Sequence, residues 1–274
     1  SVRAMFHPIV AVARDKAGAR GGAGKPVRES MIQVLLGHVG ADREAALVRG
    51  VKAALADVRA AVDDFPAMLT LMSRTIAELK AQPLTGKAEL ASRDEDVAFL
   101  EWLKDEHFVY LGARVYEYPR TPTGDYAPEE PLFQPQDGLG VLRDPERTVL
   151  RRTSEPAVLS SQIRKRLADP TVMVAKSNVR SRVHRRGYMD YVGVKKYGDD
   201  GKPSGEVRFV GLFTAEAYDK PANEVPLIRA KLDAILDRAG ALPGSHNEKR
   251  LKNIVENHPR DELFQASEDD LLAT

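Results

Sequence analysis

The sequence predicts an α+β protein: an antiparallel sheet of about five strands flanked by helices, preceded by a β-hairpin and a long amphipathic helix. Three observations carry that prediction. Between residues 109 and 215, runs of β-branched and aromatic residues are separated by turn signals. Between 42 and 81, apolar residues recur every seven positions. Between 228 and 259, apolar residues at helical spacing are bounded by serine caps and by glycine and proline stops.

The elements follow in order. Residues 6–14 and 29–36 read as two strands, joined across the glycine-rich stretch Gly18 to Pro26. The second strand is apolar enough to expect burial. Residues 42–81 form the long helical stretch. Val51, Val58, Phe65, Met72 and Leu79 alternate with Leu55, Val62, Leu69 and Ile76 as a heptad seam on one stripe. Pro66 lies inside that seam, so a kink or restart is expected there, with Asp63 and Asp64 placed to cap the new start. The seam either packs against the chain's own core or forms a subunit contact.

Residues 82–93 read as a polar linker. Ser92 and Glu95 form a capping box, reinforced by Asp94, for a helix carrying Val97, Leu100, Leu103 and His107 on one face. A strand follows at 109–116, then a long Pro- and Gly-rich loop to Pro135. Short strands are expected at Leu139–Leu142 and Thr148–Leu150, and a short helix at Ser160–Leu167. Strands at 172–184, 189–197 and 206–215 complete the sheet, the last two joined by the hairpin loop Gly198-Asp199-Asp200-Gly201. One helix ends at Gly240 and Pro243; another opens at a Ser245–Glu248 box and stops at Pro259. Ser267 and the acidic residues after it read as a further helix start, so a continuation beyond the last residue is expected.

Composition narrows the function classes. A chain of 274 residues holds one large or two ordinary domains, and 43% apolar residues suffice for a packed core. The 41 basic and 40 acidic residues nearly cancel, so no global field draws it to nucleic acid or an anionic membrane. Without cysteine there are no disulfides, thiolate metal sites or cysteine nucleophiles. No apolar run approaches the roughly 20 residues of a membrane helix, and the N-terminus lacks a signal-peptide core. No membrane or nucleic-acid partner and a cytoplasmic location are expected.

Gly21-Gly22-Ala23-Gly24-Lys25 has the wrong glycine spacing for a phosphate loop, has Pro26 where Ser or Thr is needed, and leads into a strand. No glycine-rich turn joins a strand to a helix as dinucleotide binding requires. The six histidines show no metal-ligand spacing, and His107 reads as a core residue rather than a base. The one local oddity is basic: Lys176, Arg180, Arg182, His184, Arg185 and Arg186. Alternation places Arg180, Arg182, His184 and Arg186 on one strand face. Such a run is explained by salt bridges to neighbours or another domain, by an anionic small-molecule site, by nucleic acid, or by a solvated surface. Lys176, Asn178, Arg180, Arg182, His184 and Arg186 are therefore the candidate anion, effector or interdomain contact residues.

Particular stretches carry a resemblance. Ser177-Asn178-Val179-Arg180-Ser181-Arg182-Val183-His184-Arg185 runs into Met189-Asp190-Tyr191-Val192-Gly193-Val194-Lys195, then Gly205-Glu206-Val207-Arg208-Phe209-Val210-Gly211-Leu212-Phe213 and Pro259-Arg260-Asp261-Glu262-Leu263-Phe264-Gln265. Upstream, Phe99-Leu100-Glu101-Trp102-Leu103 and His107-Phe108-Val109-Tyr110-Leu111-Gly112 belong to the same pattern. Together they resemble the N-terminal region of the large bacterial NAD-specific glutamate dehydrogenases, along essentially the whole chain. The resemblance implies a partial ACT-like hairpin over 1–40, a helical linker over 41–88, a PAS-like antiparallel sheet with helices over 89–220, and helices over 221–274 leading to the next module. It also implies that catalytic and NAD-binding residues lie elsewhere in the family's chain. The segment itself then holds no cofactor and serves regulation or assembly. The resemblance further implies that the whole protein uses NAD, contacts its own remaining domains, forms a homo-oligomer and takes an amino-acid effector.

Overall fold

The computed structural model describes residues 1–21, 24–84, 86–127, 131–149, 167 and 170–272. The chain divides into two compact units, Ser1–Ala53 and Ala54–Thr274.

In the first unit, β1 (Val2–Phe6) pairs antiparallel with β4 (Gln33–Leu36), and β2 (Ile9–Val12) with β3 (Val27–Ser30). This is one long hairpin interrupted at His7-Pro8. Proline has no N–H to give a ladder, but the Pro8 carbonyl accepts the Met31 N–H at 2.9 Å. Arg14 clasps Glu29 with two of its three guanidinium nitrogens, at 2.5 and 2.6 Å, and holds the Glu29 carboxyl below its ordinary range. The expected strands are present, but the first begins earlier and is broken. The expected burial of the second is wrong: all of β4 is exposed, Leu35 at 47%, as is Ile32 just before it at 60%. A two-stranded ribbon needs another strand or a helix to bury a face.

α1 (Ala41–Asp63) is followed at once by α2 (Phe65–Lys80). The break expected near Pro66 is there, but Asp64 caps nothing with its side chain. Its carboxylate instead accepts the Gly140 N–H at 2.7 Å and two Arg143 nitrogens at 2.6 Å, which hold it below its usual range. Gly140 has φ +59°, and a side chain there would strike the Leu111 carbonyl, so only glycine fits. The break also divides the heptad seam. Met72, Ile76 and Leu79 are core residues at 0–5% exposure, whereas Val51, Leu55, Val58, Val62 and Phe65 are 37–66% exposed. A periodic sequence stripe stays one surface only along one uninterrupted helix.

In the second unit α2 packs on α3 (Lys87–Trp102). This helix starts well before Ser92, so the expected linker and Ser92–Glu95 capping box are both corrected. Lys87 to Ala91 are good helix formers, and Gly86 takes the cap position. Glu95 instead accepts a forked pair from Arg229, 2.8 Å on each side, and the Leu227 N–H. His107 closes the irregular turn after α3 and stacks on Trp102 at 4.3 Å, buried as expected; its Nδ1 meets the Trp102 carbonyl.

The sheet contains β5 (Phe108–Glu117), β6 (Leu139–Gly140), β7 (Val172–Arg180), β8 (Tyr188–Tyr197) and β9 (Pro203–Phe213) in the order β6-β5-β9-β8-β7, all antiparallel. Strand alternation gives it two faces. Val192, Val194, Val207 and Phe209 meet α2, α3 and the later helices, while Tyr191, Val210 and Leu212 join Leu111, Val141 and Leu142 on the other side. Residues 141–143 turn into a 3-10 helix, which shortens the strand expected at 139–142. Thr148 and Val149 are not in a strand. Leu150 and most of the helix expected at 160–167 lie outside the described residues.

The chain ends in α4 (Ala215–Asp219), α5 (Ile228–Arg238), α6 (His246–Asn257), α7 (Arg260–Gln265) and α8 (Glu268–Leu272). Ser245 and Ser267 accept the N–H groups of Glu248 and Asp270, the caps that their spacing predicts. Lys231 on α5 donates to the carbonyls of Leu263, Phe264 and Ala266 at 2.8–2.9 Å, closing the C-terminal end of α7.

The divided seam makes a paired prediction. Met72→Ala is expected to destabilise the protein by about 3 kcal/mol through the cavity it leaves. Val62→Ala, on the exposed half of the same seam, is expected to stay within about 0.5 kcal/mol. Urea unfolding monitored by circular dichroism reads both; equal losses would mean that the seam is one buried surface.

Candidate functional site

Two polar constellations stand out in the second unit, one on the expected basic segment and one away from it.

The basic residues are not gathered into one face. β7 stops at Arg180, and its register with β8 shifts between Lys176 and Arg180. The Ser181 hydroxyl then bonds both the N–H and the carbonyl of Val183, a local turn that competes with the ladder. His184 has φ +63°. Residues 181–187 are therefore a loop, and the expectation that Arg180, Arg182, His184 and Arg186 share a strand face is corrected. Asn178, Arg182, His184 and Arg186 are exposed. Arg180 lies over the Tyr188 ring at 4.7 Å. Arg185 reaches the Phe213 carbonyl at 3.0 Å.

Lys176 alone enters the interior. Its ammonium donates to Asp190 on β8 at 2.6 Å and pairs with Asp261 on α7 at 2.9 Å. The other Asp190 oxygen accepts the Phe213 N–H at 3.0 Å, and Tyr218 on α4 donates to Asp261 at 3.0 Å. Burial works against the charge on Lys176, but Asp190 and Asp261 outweigh it and hold the ammonium above its ordinary value. Burial raises the Asp190 carboxyl, and Lys176 opposes that rise. This arrangement is an ionic lock between sheet and helices. Salt bridging, one of the readings the sequence left open, describes Lys176 and not the loop.

The second constellation escaped the sequence analysis. A cleft of about 1090 Å3 lies between the α2–α3 pair and the end of the β8–β9 hairpin. Asp96 on α3 lines it, at 6% exposure, and among the described residues its carboxylate has no hydrogen bond or ion pair. Burial, aided by Glu95, pushes the Asp96 carboxyl up to about 7. Lys196 lines the same cleft, from the face of β8 that carries Val192 and Val194. A signal existed: Asp96 stands three residues before Phe99 and four before Leu100, both fully buried, so it shares their helix face. The cleft itself depends on the β8–β9 hairpin, far along the chain, and left no local signal.

The fold and these sites define an α+β module in which a five-stranded antiparallel sheet carries a helical layer tied to it by buried charge. The family model described as "Glutamate dehydrogenase, helical motif 1" matches residues 225–274, the stretch that holds α5 to α8. The whole chain is 33% identical to an NAD-specific glutamate dehydrogenase of Halomonas elongata and 29% identical to one of Pseudomonas aeruginosa. It spans only 17% of the length of each. Over 80% of the chain it is 28% identical to the NAD-specific glutamate dehydrogenase of Mycobacterium tuberculosis, covering 12% of that protein. Over its whole length the chain is similar to one part of the NAD-specific glutamate dehydrogenases, the proteins that its sequence resembles.

The lock is testable. Lys176→Met is expected to cost about 3 kcal/mol, because it leaves Asp190 buried without its cation. The deficit should shrink as pH falls, since a raised carboxyl takes up a proton and loses its charge. Arg182→Ala with Arg186→Ala should change stability by less than about 0.5 kcal/mol. Denaturation midpoints from pH 5 to 8 check all three; a pH-independent Lys176→Met deficit would argue against the charged lock.

Proposed function

We propose that this chain is the N-terminal, non-catalytic regulatory and assembly segment of a large cytoplasmic NAD-dependent glutamate dehydrogenase. The whole protein oxidises L-glutamate with NAD and water to 2-oxoglutarate, ammonia and NADH. In this reading residues 1–40 are the ACT-like part, 41–88 the helical linker, 89–220 the PAS-like part, and 221–274 the helices that lead into the next module. The match of the full chain to 17% of its relatives supports a segment with a supporting role.

The observation that carries the assembly role is the exposed half of the heptad seam. Val51, Leu55, Val58 and Val62 on α1, with Phe65 at the start of α2, repeat at coiled-coil spacing and remain 37–66% exposed. Ordered apolar stripes of this kind are surfaces awaiting a partner. The occupant is another domain of the same chain or a second subunit of the homo-oligomer.

In the full-length enzyme, Leu55→Asp with Val58→Asp is expected to weaken assembly at least about tenfold while this segment keeps its circular dichroism, since each charge faces an apolar partner. Sedimentation across a concentration series measures it, and unchanged assembly would remove the role. Glutamate turnover with NAD by the 274-residue chain alone would overturn the non-catalytic assignment.

A further inference from the structure

We infer that the cleft between the α2–α3 pair and the β8–β9 hairpin binds a small primary-ammonium compound, with the ammonium seated on the Asp96 carboxylate. Three observations lead there. Asp96 is almost wholly buried and lines an opening large enough for a small molecule. Among the described residues nothing donates to it and no cation pairs with it, and the charge that acts on it most is Glu95, of the same sign. Folded proteins pair or hydrogen-bond buried carboxylates because a bare one is costly. The three other buried carboxylates of this unit follow that rule: Asp64 holds Arg143 and Gly140, Asp190 holds Lys176 and Phe213, and Glu206 holds Tyr191 and Arg208. Asp96 alone among these four leaves its acceptors turned to a cleft.

The missing partner is a donor with positive charge. A primary ammonium brings one charge and three N–H groups to two carboxylate oxygens. A metal ion fits less well, since no group of three His, Asp or Glu side chains gathers here or elsewhere among the described residues. The other groups facing the cleft are mixed in sign: Glu78 on α2, Glu89 and Arg93 on α3, and Lys195, Lys196 and Asp199 on the hairpin. Arg93 and Lys195 already donate to the Lys80 and Leu167 carbonyls. Lys196 makes no hydrogen bond or ion pair among the described residues, which leaves a cationic anchor for a carboxylate on the same ligand. A plain amine and an amino acid share the ammonium, and Lys196 separates them. With its carboxyl up at about 7, Asp96 is partly protonated at neutral pH, so seating an ammonium on it expels a proton. This inference stands apart from the assembly role: the seam variants leave the cleft intact, and the cleft variants leave the seam intact.

The test is calorimetry of the chain with three probes on one carbon skeleton: pentylamine, L-norleucine and hexanoate. Ammonium probes are expected to bind and hexanoate not to. Binding at pH 6.5 should release protons, seen as heats that differ between buffers of different ionisation enthalpy. Asp96→Asn, which keeps the volume, should weaken ammonium binding at least about tenfold and abolish the proton release. Tighter binding of norleucine than pentylamine, lost in Lys196→Met, identifies an amino-acid ligand; equal binding identifies a simple amine. The inference is overturned if neither ammonium probe binds at millimolar concentration, if hexanoate binds as well as they do, or if Asp96→Asn binds them unchanged.

Discussion

A charged carboxylate in the middle of a sheet is the constraint around which the second unit is organised. Asp190 is 1% exposed and remains tolerable only because Lys176 comes from β7 and an N–H comes from the end of β9. Meeting that demand fixes the β7–β8 register at Lys176, where the two residues are direct partners. It also leaves the ammonium with a donor to spare, which Asp261 takes, and Asp261 in turn orients Tyr218. One buried charge thus specifies where α4 and α7 sit on the sheet. Apolar packing alone, as with Phe213 stacked on Phe264 at 5.1 Å, gives area without a unique register.

The same device recurs at the other attachments of the helical layer. Arg229 forks onto Glu95 and joins α5 to α3, while Lys231 gathers three carbonyls of the α7 end. The stretch 225–274, matched by the glutamate dehydrogenase helical motif, is therefore bound to the preceding sheet by directional polar contacts as well as by Ile228, Leu232, Leu263 and Phe264 in the core. In the chain the motif and the sheet form one folded unit.

What was legible in the sequence follows a physical rule. Short-range signals read well: the Ser245 and Ser267 caps, the Gly240 stop, the Gly198–Gly201 hairpin and the break beside Pro66 all depend on residues a few positions apart. The four main strands of the sheet were placed to within a few residues because alternation and turn residues are also local. What failed depended on distant partners. Glu95 reads as a capping residue until Arg229, far along the chain, claims it. Arg182 and His184 continue an alternating pattern until the Ser181 hydroxyl turns the backbone away. The seam looked uniform because period carries no information about which half meets a sheet. Asp96 shares its helix face with Phe99 and Leu100 wherever the helix begins, but the cleft that it lines is closed by the distant β8–β9 hairpin, which no local spacing reveals.

The Lys231 ammonium shows how narrowly such a joint is specified. Three hydrogens at tetrahedral angles meet three carbonyl oxygens that converge at the exit of a helix, and burial already lowers the affinity of that nitrogen for its proton. A guanidinium carries the same charge on a flat, wider frame whose donors point outward in a plane. Exchange of lysine for arginine at this position preserves the electrostatics and forfeits the shape, so here geometry, and not sign of charge, sets which side chains the site tolerates.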